Sequence, residues 1–373
     1  MKHVDVLVRG AGIVGHSLAL SLARLGLQVG LRGEPPRADA PADVRAYALN
    51  AASVNLLKGL KVWDALPANA ATPVYDMHVQ GDAPGAAIDF SAWEQQRGEL
   101  AWIVDAPVLE RELSAALRFS PHVQTLSEEQ AERAKPALTA LCEGKASATR
   151  AALGVRFERH AYGHSAIAAR LVASVPHQGT ARQWFRSPDV LALLPFDSPE
   201  PEHSYALVWS LPDERAQELL TLSDGDFAAA LMAATRGEAG DLRLAAPRAS
   251  WPLAIAEAST WCGPGWVLLG DAAHLVHPLA GQGLNLGLAD VAALTQVIAT
   301  REPWRALGDE RLLRRYVRER KAPTWAMEQV TDGLLRLFAQ PAPAARELRN
   351  RGLSLVNRIT PIKRWLTARA LDS

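Results

Sequence analysis

Residues 266–285 read Trp266-Val267-Leu268-Leu269-Gly270-Asp271-Ala272-Ala273-His274-Leu275-Val276-His277-Pro278-Leu279-Ala280-Gly281-Gln282-Gly283-Leu284-Asn285. The apolar run 267–269 suits a buried strand bounded by glycine. Gly270 and Asp271 end it with a carboxylate at its carboxyl end, where open α/β sheets bind ligands. Leu284, Leu288, Val291, Thr295 and Ile298 recur at helical spacing, so residues 281–285 predict a helix start. The first N–H groups of a helix are unpaired and carry about +0.5 charge, which suits an anion or a ring that becomes anionic. Gly281 and Gly283 would let a flat ligand approach the backbone. The plain alternative is a strand, a turn and a packing helix with Asp271 as a cap.

A second glycine turn lies near the start. Residues 4–8 alternate as a buried strand, Gly10-Ala11-Gly12-Ile13-Val14-Gly15 follows, and Leu18, Leu22 and Leu25 mark one face of a helix ended by Gly26. Residues 27–31 supply the next strand. Strand, glycine turn, helix and strand make the context that a dinucleotide fingerprint requires. Gly10 is expected to allow the tight turn, Gly12 to let a pyrophosphate reach the helix N-terminus, and Gly15 to permit close helix–strand packing. The fingerprint also expects an acid at the end of the second strand, about 20 residues on. That strand ends Leu31-Arg32-Gly33, and Glu34 follows before Pro35-Pro36. Glu34 is either the ribose ligand or an ordinary loop charge.

Composition bounds the rest. A chain of 373 residues, 49% hydrophobic and 21% charged, buries a large core and exceeds the usual single-domain size. Forty basic and forty acidic residues leave no formal charge, which argues against a general nucleic-acid binder. Cys142 and Cys262 form neither a disulfide framework nor a metal-ligand spacing, so a cytoplasmic protein without metal is expected. Met1-Lys2-His3 leads straight into the first strand, leaving no room for a signal peptide. No run approaches ~18 apolar residues.

The 266–288 stretch, in the form Gly-Asp-Ala-Ala-His followed by His-Pro-Leu-Ala-Gly-Gln-Gly-Leu-Asn-Leu-Gly, resembles the second flavin motif of the FAD-dependent aromatic hydroxylases, and in particular their ubiquinone-biosynthesis branch. Asp43, Arg45, Ala48 and Leu49 match that family's Asp-x-Arg-x-x-Ala-Leu segment, whose Arg faces the cofactor. A planar guanidinium fork suits pyrophosphate oxygens, with a solvated surface Arg as the alternative. Arg111 stands where many members place a polar cofactor contact, although a surface helix Arg is an equal reading. Glu143-Gly144, then Ser147 and Arg150, resembles an Asp-Gly…Ser…Arg motif associated with FAD and the nicotinamide donor; here Glu143 replaces the Asp. The stretch 119–141 is shorter than the family pattern.

The resemblance implies an α/β fold: a Rossmann-like FAD-binding domain of the p-hydroxybenzoate hydroxylase type, an inserted mostly antiparallel substrate sheet and a C-terminal helical tail. The expected division is 1–72, 100–160 and 252–310 for FAD, 73–99 and 161–251 for substrate, and 311–373 for the tail. Residues 77–80, 87–90, 167–175, 181–185, 190–194 and 204–210 read as strands of the inserted sheet, and 224–235 as a helix on it. The cofactor contacts implied are Gly10, Gly12, Ile13, Val14, Gly15, Glu34, Arg45, Arg111, Glu143, Gly270, Asp271, Pro278, Gly281, Gly283, Leu284 and Asn285, with Gln282 in the flavin-edge helix and Pro278 as a wall over the ring.

The chemistry so implied is reduction of FAD by NAD(P)H, uptake of O₂, and hydroxylation of a polyprenyl phenol or quinol through a C4a-hydroperoxide. The cofactor does the hard step, so no side-chain acid or base is expected, and His160, His164 and His177 read as structural or exposed. Two other expectations stay open: the same chemistry on a small soluble phenol, and a non-catalytic FAD-binding accessory protein of a quinone-synthesis complex. The tail mixes Arg346, Arg349, Arg351, Arg358, Lys363, Arg364 and Arg369 with Leu353, Leu355, Val356, Ile359, Ile362 and Trp365. It either packs on the body or a partner chain, or lies peripherally on an anionic membrane surface.

Overall fold

The computed structural model describes residues 3–33, 43–81, 86–276 and 282–339. Glu34, Pro278, Gly281 and the tail from residue 340 onward therefore lie outside the described residues. Six strands form one sheet, in the order Cys262–Gly263, Trp266–Leu268, Leu138–Leu141, Val6–Arg9, Val29–Arg32, Val123–Thr125. All its neighbours run parallel except the first pair, with Val6 opposite both Val29 and Leu138, and Trp266 opposite Thr139. Strands from the two ends of the sequence thus share one sheet. Their continuous apolar runs reflect cover on both faces.

The Ile13–Arg24 helix covers one face, and its Leu18 and Leu22 are fully buried against Val6 and Val29. It starts at Gly12 in extended conformation, and Gly26 at φ +81° follows its end, where a side chain would be strained. The Gln282–Ala299 and Glu310–Ala339 helices bring Val291, Leu294, Leu312 and Tyr316 into the same core.

A second sheet has nine strands. Its main path is His274–Leu275, Ala249–Ala258, Phe157–Ala173, Ser204–Pro212, Asp189–Phe196, Thr180–Arg186, Asp76–Gln80, Ala87–Ser91. Only the contact between Asp76–Gln80 and Thr180–Arg186 is parallel among the pairs along that path. The hairpin expected at 77–80 and 87–90 is present, each strand one residue longer than expected. The strand expected from 167 begins at Phe157, and both it and Ala249–Ala258 run through the expected boundaries at 160 and 252. A helix at Asp213–Thr221 precedes the expected one at Asp224–Thr235. Both cover one face of the sheet, where Ile167, Ala169 and Leu171 meet Leu219, Phe227 and Leu231. Arg170, one residue out of phase, points to the opposite face and reaches the Arg45 carbonyl. A small three-stranded sheet has the order Ala46–Leu49, Ala101–Asp105, Ala71–Val74.

Candidate active site

Each fingerprint glycine meets a different surrounding. Gly10 sits at φ +114°, and a Cβ there would lie 2.1 Å from the Cys142 carbonyl oxygen. A Cβ on Gly15 would lie 1.9 Å from the Gly10 carbonyl oxygen. These two glycines are therefore required by the fold itself. Gly12 is not: a Cβ on it would meet nothing within 4 Å. The first turn of the Ile13–Arg24 helix opens there onto free space, as a pyrophosphate site needs.

The second motif converges on the same helix end. Gly270, at φ +58°, and Gly287 both face Val14, whose Cγ2 would lie 3.4 and 2.7 Å from added Cβ atoms. Gly270–Ala272 forms a single tight turn after the Trp266–Leu268 strand. Asp271 points out of this turn and is solvent-accessible, with protein packed behind it. That packing raises its carboxyl above the usual range, opposed by His274, Lys145 and Arg45. Asp271 thus shares a space with Arg45, Lys145 and the Tyr47 hydroxyl, whose own pKa is raised by burial and by Asp271 although Arg45 opposes.

Arg45 is held by Asp43 through a fork, Nε to Oδ1 at 2.9 Å and Nη2 to Oδ2 at 2.6 Å, and its Nη1 donates to the Tyr47 hydroxyl at 3.0 Å. The Asp43 bonds push the guanidinium pKa up, while burial would raise Asp43 but Arg45 overrides it and lowers it. A permanent cation is therefore fixed within electrostatic reach of Asp271. Arg170, buried in the large sheet, donates to the Arg45 carbonyl at 2.8 Å and pairs with Asp105 at 3.3 Å, which ties that sheet to the site.

Glu143 is occupied internally. It accepts from Arg9 Nε at 3.0 Å, from Ser147 Oγ at 2.6 Å and from Thr149 Oγ1 at 2.7 Å, and these donors lower its pKa against burial. Arg150 of the same motif reaches the Ala272 carbonyl at 2.9 Å, next to Asp271, and stacks 3.6 Å from the Phe157 ring centre. Arg32, at the end of the second strand, is held by Glu128, which also takes Arg9. Arg111 is exposed and pairs with Glu112 at 3.1 Å. Ile13 and Leu284 bury their side chains in one core cluster, leaving their backbones for a ligand. Gly283 begins the first described turn of the Gln282–Ala299 helix. Asn285 is buried; it accepts from the Asn50 N–H and Ser53 Oγ and donates to the Ala48 carbonyl, so its side chain joins helix to strand. His160 is exposed, His164 bonds the Tyr162 carbonyl, and buried His177 accepts from the Gly179 N–H.

Sequence reasoning gave no role to Tyr47, Lys145, Arg170, His274, Asp290 or Arg320. One signal was available: Asp290 falls four residues after Leu286 and four before Leu294 on the buried stripe of an apolar helix. A charge on such a stripe needs a partner.

The geometry gives a helix N-terminus open at a glycine, a facing carboxylate and a fixed guanidinium, which fits a flavin dinucleotide. The FAD binding domain family matches residues 116–331, more than half of the chain. The chain belongs to that family of FAD-dependent monooxygenases, and FAD is its cofactor. It is 31% identical to the 3-demethoxyubiquinol 3-hydroxylase of Escherichia coli, over 98% of each protein. It is 30% identical to the ubiquinone hydroxylase UbiL of Rhodospirillum rubrum, over 100% of this chain and 90% of that one. In fold it is similar to PqsL, a probable FAD-dependent monooxygenase from Pseudomonas aeruginosa, with a TM-score of 0.76 at 21% identity, covering 95% of this chain and 100% of that one. Among the described residues no helix is long and apolar enough to cross a membrane, and no group of side chains is placed to hold a metal.

Proposed function

We propose that this protein hydroxylates the aromatic ring of a polyprenyl phenol or quinol on the route to ubiquinone. The observation that carries this reading is the end-to-end similarity to the Escherichia coli hydroxylase, at 31% identity, in a chain whose two glycine turns meet at Val14. We assign the flavin unit to 1–72, 100–160 and 252–310, the substrate sheet to 73–99 and 161–251 and the C-terminal region to 311–373, with the Phe157–Ala173 and Ala249–Ala258 strands passing from one unit into the other.

Bound FAD, reduced by NAD(P)H, supplies the oxygen-transfer chemistry with O₂. Gly12 admits the pyrophosphate to the N–H groups of the first helix turn. Asp271 accepts hydrogen bonds from ribose or ribityl hydroxyls, and Arg45 balances phosphate charge. Backbone N–H groups from Gly281 to Asn285 stabilise negative charge at the pyrimidine edge, and Pro278 walls the ring. Glu34 is assigned to the ribose, Arg111 to a polar cofactor contact, and Glu143 to the cofactor side through Arg9, Ser147 and Thr149. The basic and apolar tail holds the protein at a membrane surface or in a quinone-synthesis complex, next to a lipid substrate.

The test is the quinone-lipid profile, by mass spectrometry, of the source organism with this gene deleted. Prenylated intermediates lacking one oxygen are expected to accumulate. Unchanged ubiquinone would move the substrate to a small soluble phenol. The full engagement of Glu143, where the family pattern has Asp, favours one further reading, a non-catalytic accessory protein. Substrate-stimulated NAD(P)H oxidation by the flavin-loaded protein would exclude it.

A further inference from the structure

Asp290, in the middle of the Gln282–Ala299 helix, has no solvent exposure. Its two oxygens hold three groups, two from residues 270–274 and one from the Glu310–Ala339 helix. Oδ2 accepts from the Gly270 N–H at 2.9 Å and lies 2.7 Å from His274 Nε2, while Oδ1 accepts from Arg320 Nε at 2.8 Å. Gly270 and His274 flank Asp271 closely in sequence. One carboxylate therefore grips both sides of the turn that presents Asp271, and Arg320 on the Glu310–Ala339 helix fixes that carboxylate. An apolar residue would serve helix packing as well, because a buried ion pair is costly to desolvate. We propose that Asp290, His274 and Arg320 are positioning residues through which the Glu310–Ala339 helix sets the pose of Asp271, and hence the affinity for FAD. This rests on the assignment of Asp271 as a cofactor ligand.

The surroundings define the electrostatics. Burial acts against a charged His274, but Asp290 overrides it and the net shift is upward, with Arg320 opposing and Asp271 assisting. Burial would raise Asp290, yet His274 and Arg320 hold it below the usual range. The Trp261 ring stacks 4.9 Å from His274. Glu257, opposite His274 on the neighbouring strand, pairs with Lys321 at 3.4 Å. Tyr316 donates to the Leu268 carbonyl, and the Cys142 thiol, pushed up by burial, lies within electrostatic reach of Asp290. Below the raised His274 pKa the group is a charged triad. Its imidazolium persists below the raised His274 pKa and is lost as pH rises through it.

The experiment is the dissociation constant of FAD from the reconstituted full chain, read by flavin fluorescence from about pH 6 to 9. Wild-type affinity is expected to fall as pH rises. Folded His274→Gln and Arg320→Met are each expected to bind FAD about tenfold more weakly near neutral pH, the scale of one lost charge-assisted bond. His274→Gln is also expected to lose the pH dependence. Arg320→Lys, which keeps the charge, is expected to fold and to fall between Arg320→Met and wild type; should Arg320→Met fail to fold, Arg320→Lys carries the test by binding more weakly than wild type. Asp271→Ala is the control for the site. If Asp271→Ala loses FAD while Arg320→Lys and His274→Gln bind it as wild type does at every pH, the positioning proposal is overturned and the site stands. If Asp271→Ala retains full FAD affinity, the site assignment itself falls, and the proposal with it.

Discussion

The two glycine turns of the flavin site face each other across Val14, yet they are held by different forces. The Gly10–Gly15 turn is set by backbone crowding: the Cys142 and Gly10 carbonyl oxygens lie where a Cβ on Gly10 and on Gly15 would sit, and only Gly12 looks into open space. The Gly270–Asp271 turn is set from a distance, by Asp290 twenty residues on, by Arg150 at the Ala272 carbonyl and by Arg320 from the long helix. Crowding by short-range sterics is the same in any protein carrying the motif. A grip by remote charged groups belongs to this fold, and under the positioning proposal it would link FAD affinity to the Glu310–Ala339 helix.

The largest effects should separate these two kinds of support. Gly15→Val places a side chain against the Gly10 carbonyl in a packed interior, and more than about 3 kcal/mol of stability should be lost; a thermal melt close to wild type would break the steric account. Asp290→Ala leaves Arg320 and His274 buried without their carboxylate and should cost about 3–5 kcal/mol in a denaturant titration. The same carboxylate, with its pKa held below the ordinary range, contributes stability above the unfolded carboxyl value. That contribution disappears as pH falls through its folded value, so Asp290→Ala should melt with a weaker acid dependence than wild type.

Next come variants that leave the fold alone. An added Cβ at Gly12 meets no protein atom within 4 Å, so Gly12→Val should fold and yet fail to load FAD, which absorbance at purification would reveal. Normal flavin occupancy there would mean the open space at Gly12 is not the pyrophosphate site. The smallest effect belongs to Arg111→Ala, an exposed helix position paired only with its neighbour Glu112 among the described residues. Stability should change by less than about 0.5 kcal/mol, and FAD affinity then decides between a rim contact and a surface charge.

The strands and helices that carry both motifs were legible because each rests on a local pattern: period-two or continuous apolar runs, helical spacing, and glycines at fixed offsets. The helix at Asp213–Thr221 was not, since its nine residues carry only Ala216 and Leu219 as buried positions. Glu143 was legible as a departure from a family motif, but its capture by Arg9, Ser147 and Thr149 was not, because Arg9 lies 134 residues away. Asn285 was read as part of a helix end facing the cofactor; that its side chain instead bonds Asn50, Ser53 and Ala48 depends on how the helix lies against a distant strand.

By itself the sequence determined that two glycine turns exist, which of their residues must be small, and which family of flavin hydroxylases they resemble. Those properties follow from glycine spacing and hydrophobic period, both set within a few residues, whereas the crowding that confirms Gly10 comes from distant Cys142. Tertiary structure alone decided that the turns meet at Val14, that Arg45 is locked by Asp43 within electrostatic reach of Asp271, and that Asp290 is shared by Gly270, His274 and Arg320. A buried charge finds its partners through packing of distant elements, and no local pattern encodes which ones they are.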